Sequence, residues 1–213
     1  MSRSKIAITI GDPAGIGPEV VIKALCTDDV VPISDTLIVG DMPVIESALM
    51  LVNPRLNPKD LNILETGKIK QGDFTRGIPD SQCGDAALSY IHTAINLALK
   101  GEVSAIVTAP ISKTSIALAG SRWKGHTEML AELTNTDEYA MMLYGEPLRV
   151  ILVTIHEAIK DIPRLLNVDN ILKTIRLAQK GCMLFGIKSP KIAVSGLNPH
   201  SGEGGIFGTE ESE

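Results

Sequence analysis

A chain of 213 residues with 44% hydrophobic side chains can bury a sizeable core, and with aromatics at only 3% that core is aliphatic. The formal charge is −5 and no run of Lys or Arg stands out, which excludes a basic face of the kind nucleic acids require. No stretch approaches the length of a membrane span, and the N-terminal apolar run is too short for a signal peptide. Cys26, Cys83 and Cys182 lie far apart without a CxxC spacing and read as reduced, buried thiols, so a soluble cytoplasmic protein is expected.

In chain order, Ile6 to Ile10 reads as a buried strand and GDPAGIGPE turns it into a helix over about Pro18 to Leu25. Thr36 to Val39 is a second strand, after which Asp41 caps a helix running through Ile45, Leu49 and Val52. Residues 53 to 81 are rich in Pro, Gly and Asn and predict loops with one short strand near Leu61 to Leu64. Ala86 to Leu99 carries a helical apolar stripe, and Val103 to Thr108 is another strand. Strands alternating with helices predict an α/β fold with helices on both faces of a mostly parallel sheet.

From Lys113 the pattern shifts. A helix over 113–119 leads through a Gly/Trp/Lys turn to a helix from His126 to Leu133. Strands at Tyr139–Tyr144 and Arg149–Ile155, joined by Gly145-Glu146-Pro147, suit an antiparallel pair. Helices at about 157–166 and 169–185 precede a strand at Lys191–Ser195. A first α/β domain over 1–115 and a second, incomplete one over 116–213 are expected, the second carrying substrate, metal and dimer contacts.

Three glycine-rich turns follow strand ends: GDPAGIGPE, GHTE and NPHSGEGG. Ligands of open α/β sheets sit at such places. The first turn is not GxGxxG, and both a tight strand-to-helix turn and a ligand loop fit it. Gly15 and Gly17 are expected to hold backbone positions that a side chain would spoil. Of four histidines, His92 sits inside a helix and reads as structural, while His126, His156 and His200 follow strands or turns. His156 and His200, at strand ends, fit either a shared metal ion or ordinary hydrogen-bonded caps.

Five blocks taken together resemble one family. ITIGDPAGIGPEV, VTAPISK, GHTEML, the TIH at a strand end and GLNPHSGEGGIFGTEE are similar, in order and spacing, to the 4-hydroxythreonine-4-phosphate dehydrogenases. The resemblance implies the two-domain fold shared with isocitrate and isopropylmalate dehydrogenases. It implies that His126 and Thr127 contact a phosphorylated hydroxy acid and that His156 and His200 bind a divalent cation (zinc, cobalt or magnesium). Gly11, Asp12, Gly15 and Gly17 would border the cleft for substrate and NAD or NADP. The active site would lie at a homodimer interface.

The implied reaction oxidises 4-(phosphooxy)-L-threonine to a 3-keto acid that decarboxylates to 3-amino-2-oxopropyl phosphate, in pyridoxal 5'-phosphate synthesis. Dehydrogenases of 4-phospho-D-threonate or 4-phospho-D-erythronate share every block quoted, so that substrate class is the alternative. The sequence stops at GTEESE, whereas the family continues through a block containing YHDQG that supplies a third metal histidine. The chain therefore reads as C-terminally truncated, and a non-catalytic remnant is a further alternative. No residue is identified as the general base.

Overall fold

Strand β1 (Ile6–Thr9) and strand β2 (Thr36–Val39) pair in parallel, Ile6 opposite Thr36 and Thr9 opposite Val39. The computed structural model describes residues 5–27, 35–155 and 157–212. Between these strands runs α1 (Gly17–Leu25), and β2 is followed by α2 (Met42–Val52), β3 (Ile63–Leu64), α3 (Ser81–Leu99) and β4 (Ala105–Thr108). All pairings in the four-stranded sheet are parallel, in the order β3-β2-β1-β4. The expected α/β class, a parallel sheet flanked by helices, is what forms. Its core is aliphatic as composition requires: Ala7, Ile10, Ile22, Ile38, Val39, Val44, Ile45 and Ala94 are buried, with Tyr90 the large aromatic exception.

Helix α3 begins at Ser81, five residues before the expected Ala86. Asp80 accepts hydrogen bonds from the backbone N–H groups of Gln82 (2.7 Å) and Cys83 (3.3 Å), an N-cap that satisfies two orphan donors. Gly84 hides this start, because glycine is a poor helix former. Helix α4 (Lys113–Leu118) packs across α3 at that position, and α5 (His126–Leu133) adds Met129 to Ile91 and Ile95 of α3 in a second apolar cluster.

The chain divides into two compact units, Met1–Asn135 and Thr136–Glu213. Residues 116–135, grouped with the second domain by sequence pattern, include the α5 that builds this cluster in the first unit. Cys83 alone of the three cysteines is buried; Cys26 is exposed and Cys182 is half-buried, which corrects the uniform expectation. Each thiol is free.

In the second unit β5 (Met142–Tyr144) and β6 (Arg149–Ile151) form the expected antiparallel pair. The helix expected at 157–166 is a 3-10 turn at Ile159–Asp161 followed by the single-turn α6 (Ile162–Leu165). Asn167 breaks it there: its side chain accepts from Asn170 N–H (2.9 Å) and caps α7 (Val168–Leu184) instead. The strand expected at Lys191–Ser195 does not form among the described residues. Those residues are exposed and lack a neighbouring strand, and an extended segment becomes a strand only by pairing. No helix among the described residues is long and apolar enough to cross a membrane.

Candidate active site

The winding of the sheet reverses between β1 and β4, since β2 and β3 lie on one side of β1 and β4 on the other. In open α/β sheets the loops beyond the carboxyl ends at such a point form the ligand crevice. Here the loop after β1 meets the loop after β4: Asp12 N–H donates to Pro110 O (3.1 Å) and Ala109 N–H to Thr9 O (3.1 Å). Asp12 is buried and its Oδ1 accepts from Ala14 N–H (2.7 Å), while Gly15 N–H donates to Asp12 O (3.0 Å), closing a tight turn.

The glycines of this loop differ in what they require. Gly11 has φ +75°, and a Cβ there would sit 2.2 Å from Pro110 O. Gly17 lacks a positive φ, but its Cβ would lie 2.4 Å from Ile10 O, so backbone approach excludes a side chain. Gly15 has neither demand, its nearest neighbours standing at an ordinary 3.4 Å; the expectation for Gly15 is corrected. Gly17→Ala is expected to cost about 1–3 kcal/mol, whereas Gly15→Ala should change stability by less than about 0.5 kcal/mol. Urea melts of the two variants check this, and equal losses would contradict the geometry.

A second loop braces the first. Asp41 sits at the N-cap position of α2 as expected, yet its side chain makes no cap bond. Its fully buried carboxylate instead accepts from the backbone N–H groups of Thr66 (2.9 Å), Gly67 (2.7 Å), Lys68 (2.9 Å) and Ile69 (2.8 Å), and from Tyr90 OH (3.0 Å). Burial and this carboxylate push the Tyr90 phenol well above its ordinary range, so the hydroxyl stays a donor. Further along, Gly77 N–H donates to Ala14 O (2.7 Å) and Arg76 pairs with Glu19 (2.5 Å) and donates to Ser47 Oγ (2.8 Å). Beside it, burial first and then the Asp12, Asp80 and Asp73 carboxylates push the Cys83 thiol up to about 11, which leaves it an inert thiol.

His126 and Thr127 open α5. Gly125 precedes them in an extended conformation, and no side chain among the described residues caps the helix. The first-turn N–H groups thus form an uncapped helix N-terminus, which favours an anion. The His126 ring is half-buried, and its Nε2 is buried without a hydrogen-bond partner among the described residues. Desolvation lowers its pKa below the ordinary 6.5, so the imidazole is neutral at pH 7, with one N–H and one lone pair to offer. Because the folded pKa is depressed, the associated stability is present above pH 6.5 and is lost as pH falls. His92 meets the Trp123 ring edge-on, 5.9 Å between centroids, in keeping with a packing role.

The second unit holds His200 on an exposed turn in which His200, Ser201, Gly202, Glu203 and Gly204 all have positive φ, between 43° and 79°. Three non-glycine residues in this region are strained and need support. Asn198 provides it: its backbone N–H donates to Glu211 Oε1 (2.7 Å) and its Nδ2 to Glu210 Oε2 (2.7 Å) and Glu211 Oε2 (3.0 Å). The Glu210 carboxyl is held below its ordinary value by its own backbone N–H and then the Asn198 amide; the Asn198 backbone N–H and then its side chain do the same for Glu211. His156 lies outside the described residues. Its neighbours Ile155 and Glu157 line a cavity of about 220 Å³ together with Tyr139, Lys173 and Thr174.

Among the described residues no three His, Cys, Asp or Glu side chains cluster tightly enough to hold a metal ion. The structure thus gathers Gly11, Asp12, Gly15 and Gly17 in one braced loop and sets His126 and Thr127 side by side at a helix start.

Comparison with known proteins adds a family. The model described as pyridoxal phosphate biosynthetic protein PdxA matches residues 32–213. The 4-hydroxythreonine-4-phosphate dehydrogenase of Trichlorobacter lovleyi is 43% identical, over 99% of this chain and 67% of its own length. The D-threonate 4-phosphate dehydrogenase of Pectobacterium atrosepticum is 40% identical, over 97% of this chain and 67% of its own. A crystal structure of the 4-hydroxythreonine-4-phosphate dehydrogenase from Klebsiella pneumoniae superposes with a TM-score of 0.87 at 37% identity, covering 100% of this chain and 68% of that one. The chain spans about two-thirds of the length of these relatives.

Proposed function

The chain belongs to the PdxA family, and on that premise we propose that it serves the NAD- or NADP-dependent oxidation of 4-(phosphooxy)-L-threonine at its secondary alcohol. The alcohol carbon gives a hydride to the nicotinamide and its oxygen gives a proton to a base, leaving a 3-keto acid. That acid loses carbon dioxide to give 3-amino-2-oxopropyl phosphate. The observation that carries this reading is the start of α5: an uncapped helix N-terminus with a neutral imidazole whose buried nitrogen has no partner among the described residues. A phosphorylated hydroxy acid supplies both an anion for the helix N–H groups and a polar atom for that nitrogen. Thr127 adds a hydroxyl at the same place.

His156 and His200 are the imidazoles assigned to a divalent cation of zinc, cobalt or magnesium type. The exposure of His200 leaves its ring accessible, and two imidazoles require further donors to complete a set. When bound, such a cation stabilises negative charge on the substrate oxygen. Gly11, Asp12, Gly15 and Gly17 border the cleft in this reading, within the wider isocitrate dehydrogenase-like arrangement and a homodimer that shares the site. The second substrate reading, 4-phospho-D-threonate or 4-phospho-D-erythronate, is favoured by the relative named for D-threonate 4-phosphate.

The test is calorimetric binding of 4-(phosphooxy)-L-threonine and of 4-phospho-D-threonate to the wild type and His126→Ala. Loss of hydrogen bonding to a charged ligand is expected to weaken the tighter ligand about tenfold or more. Affinity should also decline in the wild type as pH falls through the depressed pKa of His126, since the neutral ring is the binding form in this reading. Unchanged affinity in a folded His126→Ala would remove the substrate assignment.

A further inference from the structure

Helix α5 carries the two residues assigned to substrate, yet no side chain caps its start. Something else must set how the chain enters the helix. The connection from α4 is short and folded on itself: Gly120 N–H donates to Ala117 O (3.0 Å), Ser121 N–H to Ile116 O (2.9 Å), and Ser121 Oγ to Trp123 O (3.1 Å). Two residues then reach along the helix that follows. The Trp123 indole N–H donates to Glu132 Oε2 (2.7 Å), and Arg122 Nη2 pairs with Glu132 Oε1. Arg122 also lies over the Trp123 ring, 4.9 Å from its centroid, and that ring packs on the Ile91, Ile95 and Met129 cluster.

Glu132 stands six residues after His126, about 9 Å along the axis. One carboxylate near the end of α5 therefore holds two residues of the turn that leads into its beginning. This makes a closed loop of chain, 122 to 132, in which His126 and Thr127 lie between two fixed points. An indole and a guanidinium converging on opposite oxygens of one carboxylate form charge-assisted bonds, which hold geometry better than neutral ones. The Arg122 pair is exposed and contributes little stability by itself, so its value is orientation.

We propose that Glu132 is a positioning residue for substrate: its clasp on Trp123 and Arg122 takes the place of the missing N-cap and presents His126 and Thr127 in their binding geometry. This rests on the reading that those two residues contact substrate. Trp123 is the single tryptophan of the chain, so its emission reports the clasp directly.

The experiment compares wild type, Glu132→Ala, Glu132→Gln and His126→Ala by tryptophan emission, acrylamide quenching, and binding of 4-(phosphooxy)-L-threonine and inorganic phosphate. Glu132→Ala is expected to red-shift the emission, to make the indole more quenchable, and to weaken phosphoester binding about tenfold. Glu132→Gln keeps an acceptor for the indole and should recover part of both signals. Where turnover is measurable, KM should rise with little change in kcat. Emission that shifts while His126→Ala loses affinity and Glu132→Ala does not would overturn the clasp alone. Unchanged affinity in His126→Ala would overturn the substrate reading beneath it. Should Glu132→Ala fail to fold, Glu132→Gln decides the matter by the same comparison, and wild-type affinity in it together with an altered emission counts against the clasp.

Discussion

Asp41→Ala is expected to lower the stability of the first unit by about 4 kcal/mol, measured as a shift in urea midpoint. The carboxylate is fully buried and accepts four consecutive backbone N–H groups, Thr66 to Ile69, besides the Tyr90 hydroxyl. Alanine would leave all six donors, the Thr66 hydroxyl (3.2 Å) among them, in a site without a protein acceptor, and each orphaned buried donor costs about 1–3 kcal/mol before relaxation. Admission of water and loosening of the loop reduce the sum, which is why the expected loss is below the simple total. Asp41→Asn should fall in between. Its amide oxygen still accepts, but its NH₂ faces donors on the other side. Hydrogen exchange at residues 66–69 should rise in both variants, and through Gly77 and Arg76 the release should reach Ala14 and Glu19 of the glycine loop. Two variants with wild-type midpoints would show that the loop is held by its apolar contacts alone.

Why the sequence revealed some elements and not others follows from the range of the interactions. The bounds of β2 and α5 were legible because their apolar periods are local, and the turn from β1 to α1 because Pro18 and its glycines announce a strand-to-helix change. The Asp41 hub was not legible, because its acceptors are reached by residues 25 to 28 positions later, and a capping position explains an aspartate without them. Gly84 concealed the first turn of α3 for a related reason: in sequence it weakens a helix, and its need arises only from a helix that packs there 31 residues on. The strand expected at 191–195 had the right apolar content but no partner to pair with. His126 and Thr127, proposed to contact substrate, were singled out through the family blocks, while the clasp made by Trp123 and Glu132 spans nine residues and has no pattern that composition or periodicity would expose.

Gly84→Ala should be the sharpest test of how α3 and α4 support the site. A Cβ on Gly84 would lie 2.0 Å from Ser115 O, 2.4 Å from Ser115 C and 2.9 Å from Ile116 N. All three are backbone atoms, so no rotamer change relieves the clash. Ordinary C···O contacts are about 3.3 Å or longer, which requires the helices to part by roughly 1 Å. Alanine would gain about 0.5–1 kcal/mol over glycine inside a helix. Overpacking a close crossing costs about 1–3 kcal/mol or more, and Ser115 and Ile116 are buried, with no open side to move into. The cost wins, and a net loss of about 2 kcal/mol is expected from those two magnitudes. The shift should not stay local. Ile111, ahead of α4, packs on the cluster that seats Met129 of α5, so displacement of α4 reaches the helix that carries His126. Gly84→Ala should therefore weaken phosphoester binding as well as stability, read by calorimetry and by urea melts. A variant as stable as wild type, or more so, would mean that the helices cross farther apart than the structure places them.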